Sequence, residues 1–267
     1  MVTDFWIVDT FCDKPLRGIS ATVFFVDDLS DENLLQNVAM EINSPESIFL
    51  RDRKNGTFES VCYTPTAKGL FFGNSLYAGA KVIHSKTNLK QFSITCGIRV
   101  FAINISDDER IEVRFSTVDL AKSPTPLNLS NALNGELVVS LAECKGELIV
   151  ELRSPSRLQD LQANMDMLKA IDYNSFALTT DTHYETNLDY DFCLKVFAPK
   201  LGIYRAISSP IACAKLSAYW IGRIGKNELT ASGIGEERFY IKHENEFTYI
   251  SGYCSISTQG SLLTKLA

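Results

Sequence analysis

Residues 191–220 read DFCLKVFAPKLGIYRAISSPIACAKLSAYW, a strand, a loop and a buried helix in unbroken succession. Phe192, Leu194, Val196 and Phe197 form a β-favouring apolar run, and Ala198-Pro199 ends it because proline brings no N–H to a sheet ladder. Gly202 to Ser209 is expected to be loop. Ser209-Pro210 supplies an N-cap and then a proline at the first helical position, where the missing donor costs nothing. A helix is predicted to start there. From Ile211 to Ile224 apolar residues occupy nearly every face, with Lys215 the main intrusion. A helix apolar all round is a buried one.

The first half holds a stretch of the same construction. Cys62-Tyr63-Thr64-Pro65 and residues 66–72 lead into Gly73-Asn74-Ser75, which opens a small-residue helix from Leu76 to His84 containing Ala78, Gly79 and Ala80. Two such units half a chain apart predict an α+β protein of two related domains, each wrapped around one central buried helix. The two helix starts are the expected place for chemistry.

The chain has 267 residues, enough for two domains of about 100–150 residues each. Its 45% hydrophobic and 22% charged content matches an ordinary globular protein rather than a disordered or fibrous one. A net charge of −6 without a basic run speaks against nucleic-acid binding. No apolar stretch has the length needed to cross a bilayer, and the acidic opening MVTDFWIVDTF is unlike a signal peptide, so no membrane contact and a cytoplasmic location are expected. Cys12, Cys62, Cys96, Cys144, Cys193, Cys213 and Cys254 are scattered singly, which signals neither disulfides nor zinc, and they read as buried thiols. His84, His183 and His243 are too far apart in sequence to suggest a metal site.

Along the chain, Phe5 to Phe11 and Ala21 to Val26 predict a hairpin. Leu34, Leu35, Val38, Ala39 and Ile42 recur at helical spacing behind the cap residues 28–32. Ser44-Pro45-Glu46-Ser47 stops that helix, Ile48 to Leu50 resumes strand, and Asn55-Gly56 signals a hairpin turn before Phe58 to Tyr63. Strands are expected at 92–95, 99–105, 110–115, 136–144 and 147–152, a short helix at 128–134, and one amphipathic helix from Arg157 to Ile171. Further strands are expected at 175–180, 239–243, 247–250 and 253–263. Ser123-Pro124-Thr125-Pro126-Leu127 is the linker candidate. It divides the chain into domains 1–122 and 127–267, with a return of the C-terminal tail to the first domain left open.

This order and several local phrases resemble the phenazine-biosynthesis PhzF-like family, whose fold is shared with diaminopimelate epimerase. The phrases are VDTFCDKPLRGISATV, NSPES, Cys62-Tyr63-Thr64-Pro65 with Gly73 beyond it, FALTT, DFCLKVFAPKLGI and LSAYW. The resemblance implies two β half-barrels, each around a central helix, with a cleft between them. It also implies a homodimer, and isomerase or epimerase chemistry that moves a proton on a small carboxylate-bearing metabolite without a cofactor. The glutamate of the family's acidic motif is its main acid/base, and Glu46 stands at that position. Such a group needs its pKa raised by burial. The other reading of Glu46 is a residue that only caps or solvates the loop after a helix.

Several positions depart from the family's pattern. Asn74 stands where a histidine is usual, and it cannot exchange a proton near neutrality. Arg205 and Ala206 replace two acids, Ile207 a proline, and Pro210-Ile211 a Gly-Ser pair, while Ile19-Ser20 stands for Asn-Pro and Lys68 for an acid. Related racemases place a cysteine before each central-helix glycine, but Phe72 precedes Gly73 here, and Cys213 lies inside the second helix. What remains is binding chemistry. Ser20, Gly73, Asn74, Ser75, Ser208 and Ser209 offer N–H groups or hydroxyls to a small anion near the helix starts, and Arg205 offers a bidentate clamp. Ser209 is favoured as a simple cap; Arg205 and Ser208 stay undecided. Two functions follow: an isomerase with a degraded site, or a non-catalytic protein that binds an anionic metabolite or a protein.

Overall fold

The computed structural model describes residues 2–69, 73–182, 188–264 and 266; Phe72 and His183 lie outside them. The chain divides into two compact units, Met1–Arg114 with Ser251–Ala267, and Phe115–Ile250. The Ser123–Leu127 linker candidate therefore lies inside the second unit.

In the first unit, β1 (Thr3–Thr10) and β2 (Ile19–Phe25) form an antiparallel hairpin. Helix α1 (Glu32–Ile42) then leads to β3 (Glu46–Asp52), which runs parallel to β2 and turns at Asn55-Gly56 into antiparallel β4 (Thr57–Tyr63). Next come β5 (Lys68–Gly69), the central helix α2 (Gly73–Thr87), β6 (Gln91–Cys96) parallel to β4, β7 (Arg99–Ile105) and β8 (Ile111–Ser116). Asp31 caps α1 by accepting the Leu34 N–H at 3.0 Å, as the cap residues predict. Every residue of α2 from Gly73 to Ala80 is buried. Gly79 lets the helix lie close on β3, since a Cβ there would stand only 3.3 and 3.4 Å from Ile48 and Leu50.

The second unit contains β9 (Ala121–Lys122), α3 (Leu129–Ala132), β10 (Val138–Cys144), β11 (Glu147–Leu152), α4 (Pro155–Asp160), α5 (Met165–Ala170), β12 (Ser175–Asp181) and β13 (Phe192–Ala198). It continues through β14 (Ile203–Ile207), the central helix α6 (Pro210–Ile224), β15 (Glu228–Ser232), β16 (Arg238–Glu244) and β17 (Phe247–Gly252). The last strand, β18 (Cys254–Leu262), belongs to the first unit, where it runs antiparallel to β1. Helix α6 is capped by Ser209, whose Oγ accepts the Ala212 N–H, and it ends at Gly225 with φ 75°. That left-handed C-terminus suits glycine. Trp220 is 2% exposed and donates Nε1–H to Thr179 Oγ1 at 2.9 Å. Lys215 is neutralised by Glu147, with 3.1 Å between Nζ and Oε1. The fold is thus α+β, two related units that each wrap a β half-barrel around a central buried helix.

Two local expectations fail. Residues 202–209 are not all loop: after a 3₁₀ turn at Pro199–Leu201, Gly202 at φ 76° reverses the chain and β14 pairs back onto β13. The predicted helix 157–171 is two helices. Leu161 is extended at φ −60°, ψ 122°, and Asn164 caps the second helix by accepting the Met167 N–H. The amphipathic period carries through 157–171, but asparagine's preference for a cap breaks it.

Candidate active site

Glu46 opens β3, directly beside the N-terminus of α2. Its Oε2 accepts the Ser75 backbone N–H at 2.7 Å, and Oε1 accepts from Asn74 Nδ2 at 3.2 Å. The side chain is buried at 4% exposure. Burial raises its pKa, opposed by the hydrogen bonds from Ser75 and Asn74. A helix start carries partial positive charge and amide donors, which hold the ionised form in place while the dry surroundings penalise it. A carboxyl in that balance can take up and release a proton closer to neutrality than a solvated one.

The neighbours of Glu46 extend the constellation. Asn74 Oδ1 faces the Thr10 hydroxyl at 3.3 Å, and that hydroxyl donates to the Ile19 carbonyl at 2.9 Å. Ser20 donates Oγ–H to Asp9 Oδ1 at 2.6 Å, while Asp9 Oδ2 accepts the Leu16 N–H at 2.7 Å. Asp9 thereby pins the turn in which Leu16 takes φ 67°. Gly18 is obligatory in that turn, because a Cβ would stand 2.3 Å from the Thr10 carbonyl oxygen. On the far side, Ser75 Oγ–H points to Cys62 Sγ at 3.6 Å. Cys62 and Cys96 are both free, buried thiols, and the hydrogen bond between them raises the first and lowers the second.

Of the residues expected at this helix start, the structure brings Glu46, Gly73, Asn74 and Ser75 together; Ser20 joins through Asp9 and the β1–β2 hairpin. The Ser75 amide is given to Glu46, as is the Asn74 side-chain amide, and both are therefore in use within the protein. In the second unit, Ser208 is fully buried and its Oγ accepts the Ile234 N–H at 3.0 Å. Ser209 makes its cap bond to Ala212 at 3.4 Å. Arg205 is exposed on β14. Lys68 is exposed on β5, where it pairs with Glu32 at 2.6 Å.

Asp9 and Glu237 are buried carboxylates that the sequence reading passed over. Asp9 carries a signal, a charge inside the apolar strand FWIVDTF. Glu237, in the run EER after Ser232-Gly-Ile-Gly, reads as ordinary surface charge. Cys213 is fully buried within α6 with its pKa raised by desolvation, a core thiol as expected. Among the described residues no cluster of acidic, histidine or cysteine side chains could hold a metal ion.

Comparison with known proteins bears on the fold and the family. An uncharacterized isomerase of Halalkalibacterium halodurans is 26% identical over 234 residues, covering 86% of both chains. The crystal structure of a phenazine biosynthesis protein of the PhzF family from Enterococcus faecalis superposes with a TM-score of 0.88 at 20% identity, covering 99% of this chain and 100% of that one. A hydroxyproline epimerase from Agrobacterium vitis has the same fold, with a TM-score of 0.60 at 8% identity over 98% of this chain and 92% of that one. The family model of the phenazine biosynthesis-like proteins matches residues 8–237, so the chain belongs to that family of PhzF-like isomerases.

Proposed function

We propose that this protein is a cofactor-free isomerase or epimerase that moves a proton on a small carboxylate-bearing metabolite, with weak or altered activity. The observation that carries this reading is the state of Glu46: buried, raised by desolvation, and oriented by the Ser75 amide and Asn74. In this reaction Glu46 takes a proton from the carbon next to the substrate carboxylate. Asn74 and the α2 amides, which hold Glu46 before substrate arrives, then support the negative charge that develops. Ser20 supplies a further hydroxyl for the anion, and Ser208, Ser209 and Arg205 are the anion-binding candidates of the second unit taken by itself. The weakness follows from Asn74 and Ala206, neither of which can relay a proton. A homodimer belongs to the same reading and rests on the family resemblance, while a cytoplasmic location rests on the acidic opening of the chain.

A non-catalytic binding protein is the second reading. It is favoured by the fact that both carboxylate oxygens of Glu46 are engaged with α2, as they would be in a purely structural helix cap. The test is solvent-deuterium incorporation into a panel of cyclic and amino-acid carboxylates, comparing the wild type with Glu46→Gln. Incorporation that disappears in the variant supports the isomerase, whereas equal incorporation by both removes Glu46 as the base. Saturable binding of the same anions without any exchange favours the binding protein.

A further inference from the structure

Two cysteines meet inside the first unit. β4 runs parallel to β6 with Ser60 opposite Cys96. Side chains alternate along a strand, so Cys62, two residues beyond Ser60, shares the face of Ser60 and Cys96. That face is covered by α2, whose Ser75 points its Oγ–H to Cys62 Sγ at 3.6 Å. There the two thiols share a hydrogen bond, and neither is in a disulfide.

The two sulfurs are not equivalent. Cys96 ends β6 at 5% exposure, beside the exposed turn Gly97-Ile98. The Cys62 S–H favours its thiolate against the opposing effect of burial, and the charges of Lys68 and Arg99 add to that. Cys62 is 2% exposed and holds its proton in the bond to Cys96, with burial and the charge of Glu46 acting in the same sense. The thiolate is the nucleophilic form of cysteine, and it reacts where positive charge and some access coincide. Other buried thiols stay protonated: burial raises Cys213 and pushes Cys254 up to about 12. A disulfide needs its Cα atoms within about 7 Å. The end of β6 has room to close on Cys62, because Gly97 has φ 59° and no described atom within 4 Å of where its Cβ would stand.

We propose that Cys62 and Cys96 are a peroxide-responsive thiol pair that closes to a disulfide beside the start of α2, with Cys96 oxidised first and Cys62 resolving it. The oxidant is a hydroperoxide. Cys96 sulfur attacks one peroxide oxygen, so that an S–O bond forms and the O–O bond breaks. The departing oxygen takes a proton and leaves as water or an alcohol. Cys96 is then a sulfenic acid, oxidised by two electrons, and the peroxide is reduced by two. Cys62 sulfur next attacks Cys96 sulfur, an S–S bond forms, the S–O bond breaks, and the hydroxide leaves as water with the Cys62 proton. The disulfide draws Cys62 away from Ser75, the residue whose amide holds Glu46. Oxidation is therefore registered at the Glu46 anchor, and the sulfur chemistry does not depend on whether Glu46 moves a proton.

The experiment treats the reduced full chain with hydrogen peroxide without denaturant, quenches it with an alkylating agent and maps the peptides by mass spectrometry. A linked Cys62–Cys96 peptide is expected before any other cysteine is modified, and dithiothreitol should reverse it. Cys62→Ser is expected to stop at a sulfenic acid on Cys96, which a 1,3-diketone reagent traps, and Cys96→Ser to leave Cys62 reduced. In amide spectra of the wild type, the Ser75 signal should shift on oxidation. Cysteines 62 and 96 still reduced at a peroxide dose that oxidises the unfolded chain would overturn the proposal. A link between other cysteines, a sulfenic acid that persists on wild-type Cys96, or Cys62 oxidised at the wild-type rate in Cys96→Ser would overturn it equally. The wild-type map uses no substitution, so it decides the pairing even where a variant fails to fold.

Discussion

Ser75 donates its backbone N–H to Glu46 Oε2 at 2.7 Å, which joins the first turn of α2 to the first residue of β3. The bond fixes the carboxylate and satisfies one of the amides that a helix start leaves without an intrahelical partner. Structure and chemistry therefore share one group, and the stability of the fold should register its ionisation.

Glu46 is raised from an ordinary value of 4.5, with burial as the largest cause. Between that value and the folded-state pKa, the folded chain keeps a proton that the unfolded chain has lost. The associated stability is complete below the unfolded value and declines as pH rises through the folded one, by at most about 1.4 kcal/mol per pH unit. Glu46→Gln cannot ionise and should lose this decline. In melts from about pH 4 to 8, the wild-type midpoint should fall more steeply with rising pH than the variant's. Glu237 slopes the same way in both proteins and cancels in the comparison. Parallel curves would show that ionising Glu46 carries no penalty.

Asn74 is fully buried, with Nδ2 on Glu46 and Oδ1 toward Thr10. Asn74→Ala should cost roughly 1–3 kcal/mol, the usual loss when buried partners are left unsatisfied. It should also push Glu46 higher, since a donor to its charged form is gone. Urea unfolding measures the first effect, and carboxyl NMR titration of Glu46 the second. A titration that stays put or moves down would show that the Asn74 bond does not favour the carboxylate.

The central helices were legible because the residues that start them are chemically explicit. Ser209-Pro210 can do little but cap and open a helix, and the small, apolar faces of α2 and α6 have nowhere to go but the core. The break between α4 and α5 was not legible, since the spacing of Leu158, Leu161, Met165 and Leu168 satisfies a continuous helix and only tertiary contacts to Lys195 and the Asn164 cap interrupt it. Glu46 was found through its motif and not through its surroundings. Asp9 stood in plain view as a charge within an apolar strand. Glu237 gave no sign, because it lies in a hairpin loop that folds back over Ser208 through the Ile234 N–H, a contact spanning 26 residues of sequence.

Ala214 is 7% exposed on α6, which packs against β12, β13, β15 and β16. Ala214→Leu should overpack that interface and cost roughly 1–3 kcal/mol. Thermal melting provides the check. An unmoved midpoint would mean that this face of the helix has room for a larger side chain.

Lys195 is a lysine inside β13 at 4% exposure, and its ammonium has no carboxylate in hydrogen-bond contact among the described residues. It donates instead to three carbonyls at the end of α4: Leu158 at 3.2 Å, Gln159 at 2.8 Å and Leu161 at 2.7 Å. Those are the acceptors that a helix C-terminus leaves open, and a cation is also the charge that end prefers. Burial lowers the lysine pKa, with Asp160 opposing. Lys195→Met keeps the length and the apolar stem but strands the carbonyls. The loss should be on the order of 3 kcal/mol, because each buried acceptor without a partner costs about 1–3 kcal/mol and water can recover part of it. Hydrogen exchange should localise the damage, with amides of α4 and of the 161–164 break losing protection before those of α6. Lys195→Arg keeps the charge but must fit a bulkier planar head among the same carbonyls, and it should recover only part of the loss. A methionine variant as stable as the wild type, with α4 exchange unchanged, would show that the carbonyls are satisfied without the ammonium and that Lys195 is not what ends the helix.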